Sequence, residues 1–306
     1  MVVIRIATRK STLALWQAGH VADELKRLPE VSSVELVPLT TRGDRLLDQD
    51  LSKVGGKGLF IKELEIAMQT GDADVAVHSM KDVPAVIADG FCIAALLERA
   101  NPLDALVSNK ASAIAELADG AVVGSSSLRR QAQLKALRPD LVVQSLRGNV
   151  DTRLKKLDRG DYDAIVLACA GLERLGLGDR ISERIAPDRM LPASAQGVIG
   201  IECLADRQDL RALLARLDHP VTRQTTLAER AVARTLEASC TSPLASYAVA
   251  RDGLMTLTAM VASVDGKKLL RNQVSGALQD AEQLGSELAR LLLELGAADI
   301  LREAGQ

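Results

Sequence analysis

Runs of β-branched and apolar residues alternate with amphipathic stretches over most of this chain's first 200 residues, and this alternation constrains the fold more than any other feature. Val2 to Ala7 reads as a strand, and Ser11 caps a helical pattern from Thr12 to Leu28. Strand patterns follow at Val34 to Leu39, Asp74 to Val77 and Phe91 to Leu96, with a helix from Leu59 to Met68 between the first two. Parallel strands need a crossover helix, so strand and helix in alternation predict βαβ units around a mainly parallel sheet.

The pattern restarts near Asn101-Pro102. Strands are expected at Ala105 to Val107, Ala121 to Gly124, Leu141 to Gln144 and Ala164 to Ala168, with helices at Leu128 to Leu137 and Val150 to Leu157. Leu191 to Gly197 reads as a linker, and Val198 to Cys203 as a strand that returns to the first domain. Past His219-Pro220 the pattern changes to a long helix, strands at Tyr247 to Ala250, Leu254 to Val264 and Leu269 to Gly276, and a helix from Asp280 to Leu295. Asp265-Gly266 is a hairpin signal between the last two strands. A chain of 306 residues exceeds what one core usually serves. The expected domains are 1–98 with 197–217, then 102–192, both α/β, and an α+β domain at 220–306.

Composition excludes several classes. Aromatic residues make up 2% and the net charge is −2, which counts against a nucleic-acid binder that stacks bases on aromatic platforms. No apolar run reaches membrane-spanning length, and from the pattern Met1 to Ala7 no secretory signal is expected. The four cysteines are scattered, with no C-x-x-C pair and no histidines around them, so neither a metal site nor a disulfide framework is expected. A reducing cytoplasm is the expected location. Val54 to Gly58 lacks the spacing and the following Ser or Thr of a phosphate loop, which removes an NTPase from consideration.

Cations gather where strands end and helices begin. Arg9-Lys10-Ser11, Gly124-Ser125-Ser126-Ser127-Leu128-Arg129-Arg130 and Arg147-Gly148-Asn149 with Arg153 all follow this grammar. Two arginines in a first helical turn oppose the helix macrodipole, and an anionic ligand reverses that sign. Since ligands of open α/β sheets sit at the carboxyl ends of the strands, one polyanion site between two domains is expected. His78-Ser79-Met80-Lys81-Asp82-Val83-Pro84 brings Lys81 and Asp82 to the same kind of strand end, where Asp82 serves either as a turn cap or as a catalytic group. The charged, glycine-rich loop from Thr41 to Gly58 has the length of a lid.

Three cysteines lie in apolar runs and read as small buried hydrophobes: Cys92, Cys169 and Cys203. Cys240 lies instead in the polar segment Ala238 to Pro243, after a helical run, where a thiol is available for chemistry. A carboxylate-binding sensor without turnover accounts for the arginines but leaves Cys240 and Asp82 unused. A cysteine hydrolase with His20, His78 or His219 as base is a further alternative.

Ala7-Thr8-Arg9-Lys10-Ser11-Thr12-Leu13-Ala14, Gly55-Gly56-Lys57-Gly58-Leu59-Phe60, Ala76 to Pro84, Gly124 to Arg130 and Arg147-Gly148-Asn149-Val150 together resemble the porphobilinogen deaminases, or hydroxymethylbilane synthases, in order along the chain. The resemblance implies two domains like type II periplasmic binding proteins, with mixed, mainly parallel sheets, and a C-terminal α+β domain. It implies a dipyrromethane cofactor joined to Cys240 by a thioether, onto which four porphobilinogen molecules are added with loss of ammonia before the tetrapyrrole is hydrolysed off. Carried over at matching positions, it implies Asp82 as the catalytic carboxylate. Ser11, Lys81, Ser127, Arg129, Arg130, Arg147 and Gly148 then hold the cofactor, and Arg9, Arg147, Arg153, Arg174 and Lys57 the substrate. It further implies a monomer that hands its product to the next enzyme of the pathway. The family usually has glycine two residues before the cysteine and often after the following Pro-Leu pair; Ala238 and Ala245 stand there, so any positive φ at those positions falls on alanine.

Overall fold

In each of the two α/β sheets one interior strand runs antiparallel to both of its neighbours, and each of these strands lies beside a point where the chain passes between the two units. The computed structural model describes residues 1–45, 58, 60–239 and 241–305, Arg45 by its backbone alone. Lys57, most of the expected lid and Cys240 lie outside the described residues. The chain forms two compact units, Met1–Ala100 with Val198–Arg223, and Asn101–Gly197 with Gln224–Gln306.

In chain order the first unit holds β1 (Val2–Arg9), α1 (Thr12–Lys26), β2 (Val31–Leu39), the single turn α2 (Arg42–Arg45), α3 (Lys62–Gln69), β3 (Val75–Ser79) and β4 (Phe91–Leu96). The second holds β5 (Asp104–Ser108), β6 (Val122–Gly124), α4 (Leu128–Leu137), β7 (Val142–Gln144), α5 (Val150–Asp158), β8 (Ala164–Ala168), α6 (Cys169–Arg174) and β9 (Glu183–Ile185). The chain returns to the first unit with β10 (Ile199–Leu204) and α7 (Gln208–Leu214). It ends with α8 (Pro220–Thr235), β11 (Leu244–Arg251), β12 (Leu254–Ala262), β13 (Leu269–Ala277), α9 (Ala281–Glu294) and α10 (Ala297–Ala304).

The first sheet has the order β2-β1-β3-β10-β4, with β1 parallel to β2 and β3, and β10 antiparallel to β3 and β4. The second, β7-β6-β8-β5-β9, repeats this plan: β6 is parallel to β7 and β8, and β5 is antiparallel to β8 and β9. Both are mixed α/β sheets, as expected. Helix α1 covers the first with Ala18, Val21, Ala22 and Leu25, the spacing of one helical face, against Ile4, Ile6 and Val77. Separate clusters around Val123 and Leu134, and around Ile165 and Leu172, fill the two faces of the second.

The third sheet, β11-β12-β13, is antiparallel and packs against α8 and α9 through Val232, Leu257, Leu288 and Leu292. Its β12–β13 turn contains Gly266 at φ +74°, where an added Cβ would lie 2.7 Å from the backbone of Ala132 and Ala136 on α4. Helices α8 and α9 cross at Gly285, where a Cβ would meet the Ala228 carbonyl and come within 2.6 Å of the Ala231 Cβ. Gly285→Ala is therefore expected to destabilise the protein by about 1–3 kcal/mol through overpacking, read as a lower urea midpoint with an unchanged slope.

Residues 191–197, which read as a linker, are largely buried. Leu191, Ala195 and Gln196 are almost fully buried, and Ala195 adopts φ 57°. Pro, Ser and Gly report a chain that turns, and here the turning chain runs through packed structure. The Glu229 carboxylate on α8 accepts the backbone N–H groups of Ala195 and of Ala248 on β11, which ties this segment to the third sheet.

Candidate active site

In the first unit the parallel strands β1 and β3 are neighbours, so their carboxyl ends bring Arg9, Ser11, Lys81 and Asp82 to one sheet edge. Ser11 caps α1, its hydroxyl accepting the Ala14 N–H at 3.3 Å. Arg9 pairs with Asp44 and lies over the Phe60 ring, 4.2 Å from its centroid. Burial alone would raise the Asp44 carboxyl, but the bonds from Arg9 and Thr41 hold it below its usual range. Lys81 and Asp82 share one 3₁₀ turn, Met80–Asp82, anchored by the buried Met80 while Asp82 is exposed. Behind this turn His78 and Glu202 form a buried pair, Nε2 to Oε2 at 2.9 Å.

The second unit places its cations at the carboxyl ends of the parallel strands β6, β7 and β8. Ser127 is the N-cap residue of α4, yet its side chain makes no capping bond. Arg129 and Arg130 are 3% and 6% exposed, and both are committed to Asp104, which is fully buried. The sequence suggested guanidinium forks open to a ligand; in the structure both forks are engaged by this internal carboxylate. Burial alone would raise the Asp104 carboxyl, but the charges of Arg129 and Arg130, with bonds from Arg129 and Gln196, hold it far below the usual carboxylate range.

After β7, Gly148 adopts φ 113°, and a Cβ there would lie 2.8 Å from the Thr152 side chain. Asn149 caps α5 through the Thr152 N–H at 2.9 Å. Arg153 donates from Nε to the Gly148 carbonyl at 2.8 Å, so the cap residues and this cation form one unit beside Arg147. Arg174 ends α6, directly after β8, and donates to the Gly197 carbonyl at 2.7 Å. Burial pulls its guanidinium down to about 10, which still leaves it charged at neutral pH.

Asp104 was not among the residues the sequence singled out. Its only local signal was a carboxylate at the start of an apolar strand, two residues after Pro102. On the two sides of position 240, the Ser239 N–H donates to the Ser242 hydroxyl at 3.0 Å. Neither alanine that replaces a family glycine has positive φ: Ala245 lies inside β11, and the left-handed residue next to Ala238 is Glu237, φ 51°. The histidines of the hydrolase alternative have other partners. His78 binds Glu202, His219 sits 2.9 Å from the Thr222 hydroxyl, and His20 stacks on Trp16.

Two mixed sheets with cations at their strand ends, and a three-stranded antiparallel sheet packed on helices, define a protein of the α/β class. The family model "Porphobilinogen deaminase, dipyromethane cofactor binding domain" matches residues 4–212, and "Porphobilinogen deaminase, C-terminal domain" matches 223–294. A porphobilinogen deaminase of Chromobacterium violaceum is 53% identical over 298 residues, 97% of this chain and 96% of that one. Among solved structures, the methionine binding protein MetQ aligns with TM-score 0.45 and 15% identity over 70% of this chain and 89% of its own. The VFT2 domain of Bordetella pertussis BvgS aligns with TM-score 0.43 and 16% identity over 70% and 86%. The chain belongs to the porphobilinogen deaminase family. Its activity is that of a transferase of tetrapyrrole biosynthesis, which joins four porphobilinogen molecules head to tail on a covalent dipyrromethane primer, releases ammonia and frees hydroxymethylbilane by hydrolysis. Among the described residues no helix is long and apolar enough to cross a membrane.

Proposed function

We propose that Cys240 holds the dipyrromethane by a thioether and that the cations at the strand ends bind the carboxylates of primer and substrate. Each pyrrole carries an acetate and a propionate, so the growing chain gathers negative charge that must be kept from bulk water. Arginine suits this task, since its planar fork meets a carboxylate with two parallel bonds and keeps its charge. The donor set fits the cofactor: Ser11, Lys81, Ser127, Arg129, Arg130, Arg147 and the Gly148 backbone would hold it, with Arg9, Arg147, Arg153 and Arg174 for the incoming unit. The primer supplies a free pyrrole α-carbon as nucleophile.

Asp82 is the proposed catalytic carboxylate. Loss of ammonia from the aminomethyl group of porphobilinogen leaves positive charge on a pyrrole nitrogen, and a fixed carboxylate stabilises charge that develops there. Its exposure on an anchored turn supports this role, because the side chain is held yet open to a substrate. The observation that carries the reading is the gathering of these cations at the carboxyl ends of parallel strands in both sheets. We extend it to three domains, 1–98 with 197–217, 102–192 and 220–306, in a cytoplasmic monomer that hands its product to the next enzyme of the pathway.

Denaturing intact-mass measurement tests the reading. The purified chain is expected to be heavier than its sequence by one dipyrromethane, and brief incubation with porphobilinogen to yield a ladder of further masses. An unmodified chain that never gains mass would point to the sensor or the hydrolase instead.

A further inference from the structure

We propose that Asp104 is a positioning residue for cofactor binding: it fixes the Arg129 and Arg130 guanidiniums at the start of α4 and leaves them one positive charge in excess, for one ligand carboxylate. This rests on the reading above that the two arginines bind the cofactor. Asp104 opens β5, directly after Asn101-Pro102-Leu103. Its Oδ1 accepts from Arg129 Nη2 at 3.2 Å, from Arg130 Nε and Nη2 at 3.0 and 2.7 Å, and from Gln196 Nε2 at 3.0 Å. Its Oδ2 accepts from Arg129 Nη1 at 2.6 Å.

The surroundings remove the remaining freedom of both forks. Arg129 also donates to the Leu191 carbonyl at 2.7 Å, and Arg130 to the Val166 carbonyl at 3.0 Å. Gln133, one turn along α4, holds Leu191 through both its N–H and its carbonyl. Gln196 donates to the Pro102 carbonyl at 2.7 Å. The arginines are thus referenced to β8 and to both segments by which the chain enters and leaves this part of the unit. Neither fork can swing without breaking several bonds at once.

Charge balance gives the cluster its direction. A structural ion pair needs one guanidinium for one carboxylate, and here two face one. A buried charge without compensation is costly, and the first turn of a helix makes a cation costlier still. A ligand carboxylate at the start of α4 offsets both.

Two substitutions in the holoenzyme test this, Asp104→Asn and Gln196→Leu, with Arg130→Lys as comparison. The first removes the charge that holds the forks, and the second removes one bond to that carboxylate from an uncharged donor, together with the Gln196 bonds to the Pro102 carbonyl and to Arg130. Intact mass gives the ratio of loaded to unloaded chain, circular dichroism selects folded protein, and thermal midpoints report stability. Folded Asp104→Asn is expected to load about tenfold less, the factor for losing a bond to a charged group, and Gln196→Leu about threefold less. A purely structural role predicts lower midpoints with every folded chain loaded, and that result overturns the proposal. Should Asp104→Asn fail to fold, Gln196→Leu decides in the same way. Full loading in both variants with loss in Arg130→Lys defeats the positioning role alone; full loading in all three defeats the arginine reading itself.

Discussion

A Cys240→Ser chain is expected to fold, to show only the mass of its sequence under denaturing conditions, and to turn over no porphobilinogen. The attachment chemistry needs a sulfur nucleophile, because a thiol reaches its anionic form near neutral pH and a serine hydroxyl does not. The other thiols are poor substitutes. Burial pushes Cys169 and Cys203 up to about 12, and the half-buried Cys92 has its sulfur 3.8 Å from that of Cys203, inside the first unit. Folding should survive, because the change swaps one small polar side chain for another and the flanking Ser239, Thr241 and Ser242 bond to one another. Intact mass with steady-state assay checks the outcome; an adduct of unchanged mass on the serine variant would place the attachment elsewhere.

What was legible in the sequence follows from how local each signal is. Helix α4 spans Leu128–Leu137 as its pattern predicts, because a strand end, a cap position and an amphipathic run adjoin there. Strand β9 is three residues long and α6 is six, too short for either period to declare itself. Helix α10 begins after Gly296 at φ 98°, a residue that ends α9 and lets a second helix restart at once. Arg129 and Arg130 were legible as a cationic helix start, but their partner was not. Asp104 lies 25 positions from Arg129, and only the pairing of β5 beside β8 makes them neighbours. The buried course of residues 191–197 was hidden for a related reason: turn residues fix dihedral angles, while exposure depends on what packs against the turn.

Asp82→Asn is expected to keep the fold and the covalent cofactor and to lose most turnover. The change is nearly isosteric, and Asp82 is exposed, so no core contact is lost. The turn that carries it is held by backbone bonds from Met80 to the Val198 carbonyl at 3.0 Å and from Val83 to the Met80 carbonyl at 3.2 Å. Asparagine therefore presents an amide where the carboxylate stood, and what disappears is the negative charge. On the proposed role that charge acts on a pyrrole nitrogen as ammonia leaves and again as the new bond forms. Losing one charge-assisted hydrogen bond removes about 1.5–3 kcal/mol, or roughly one to two powers of ten in rate. Steady-state assay beside intact mass separates the two halves of the expectation: loaded chain with slow turnover supports the catalytic role, loaded chain at the normal rate removes it, and unloaded chain moves Asp82 from the chemistry to cofactor assembly.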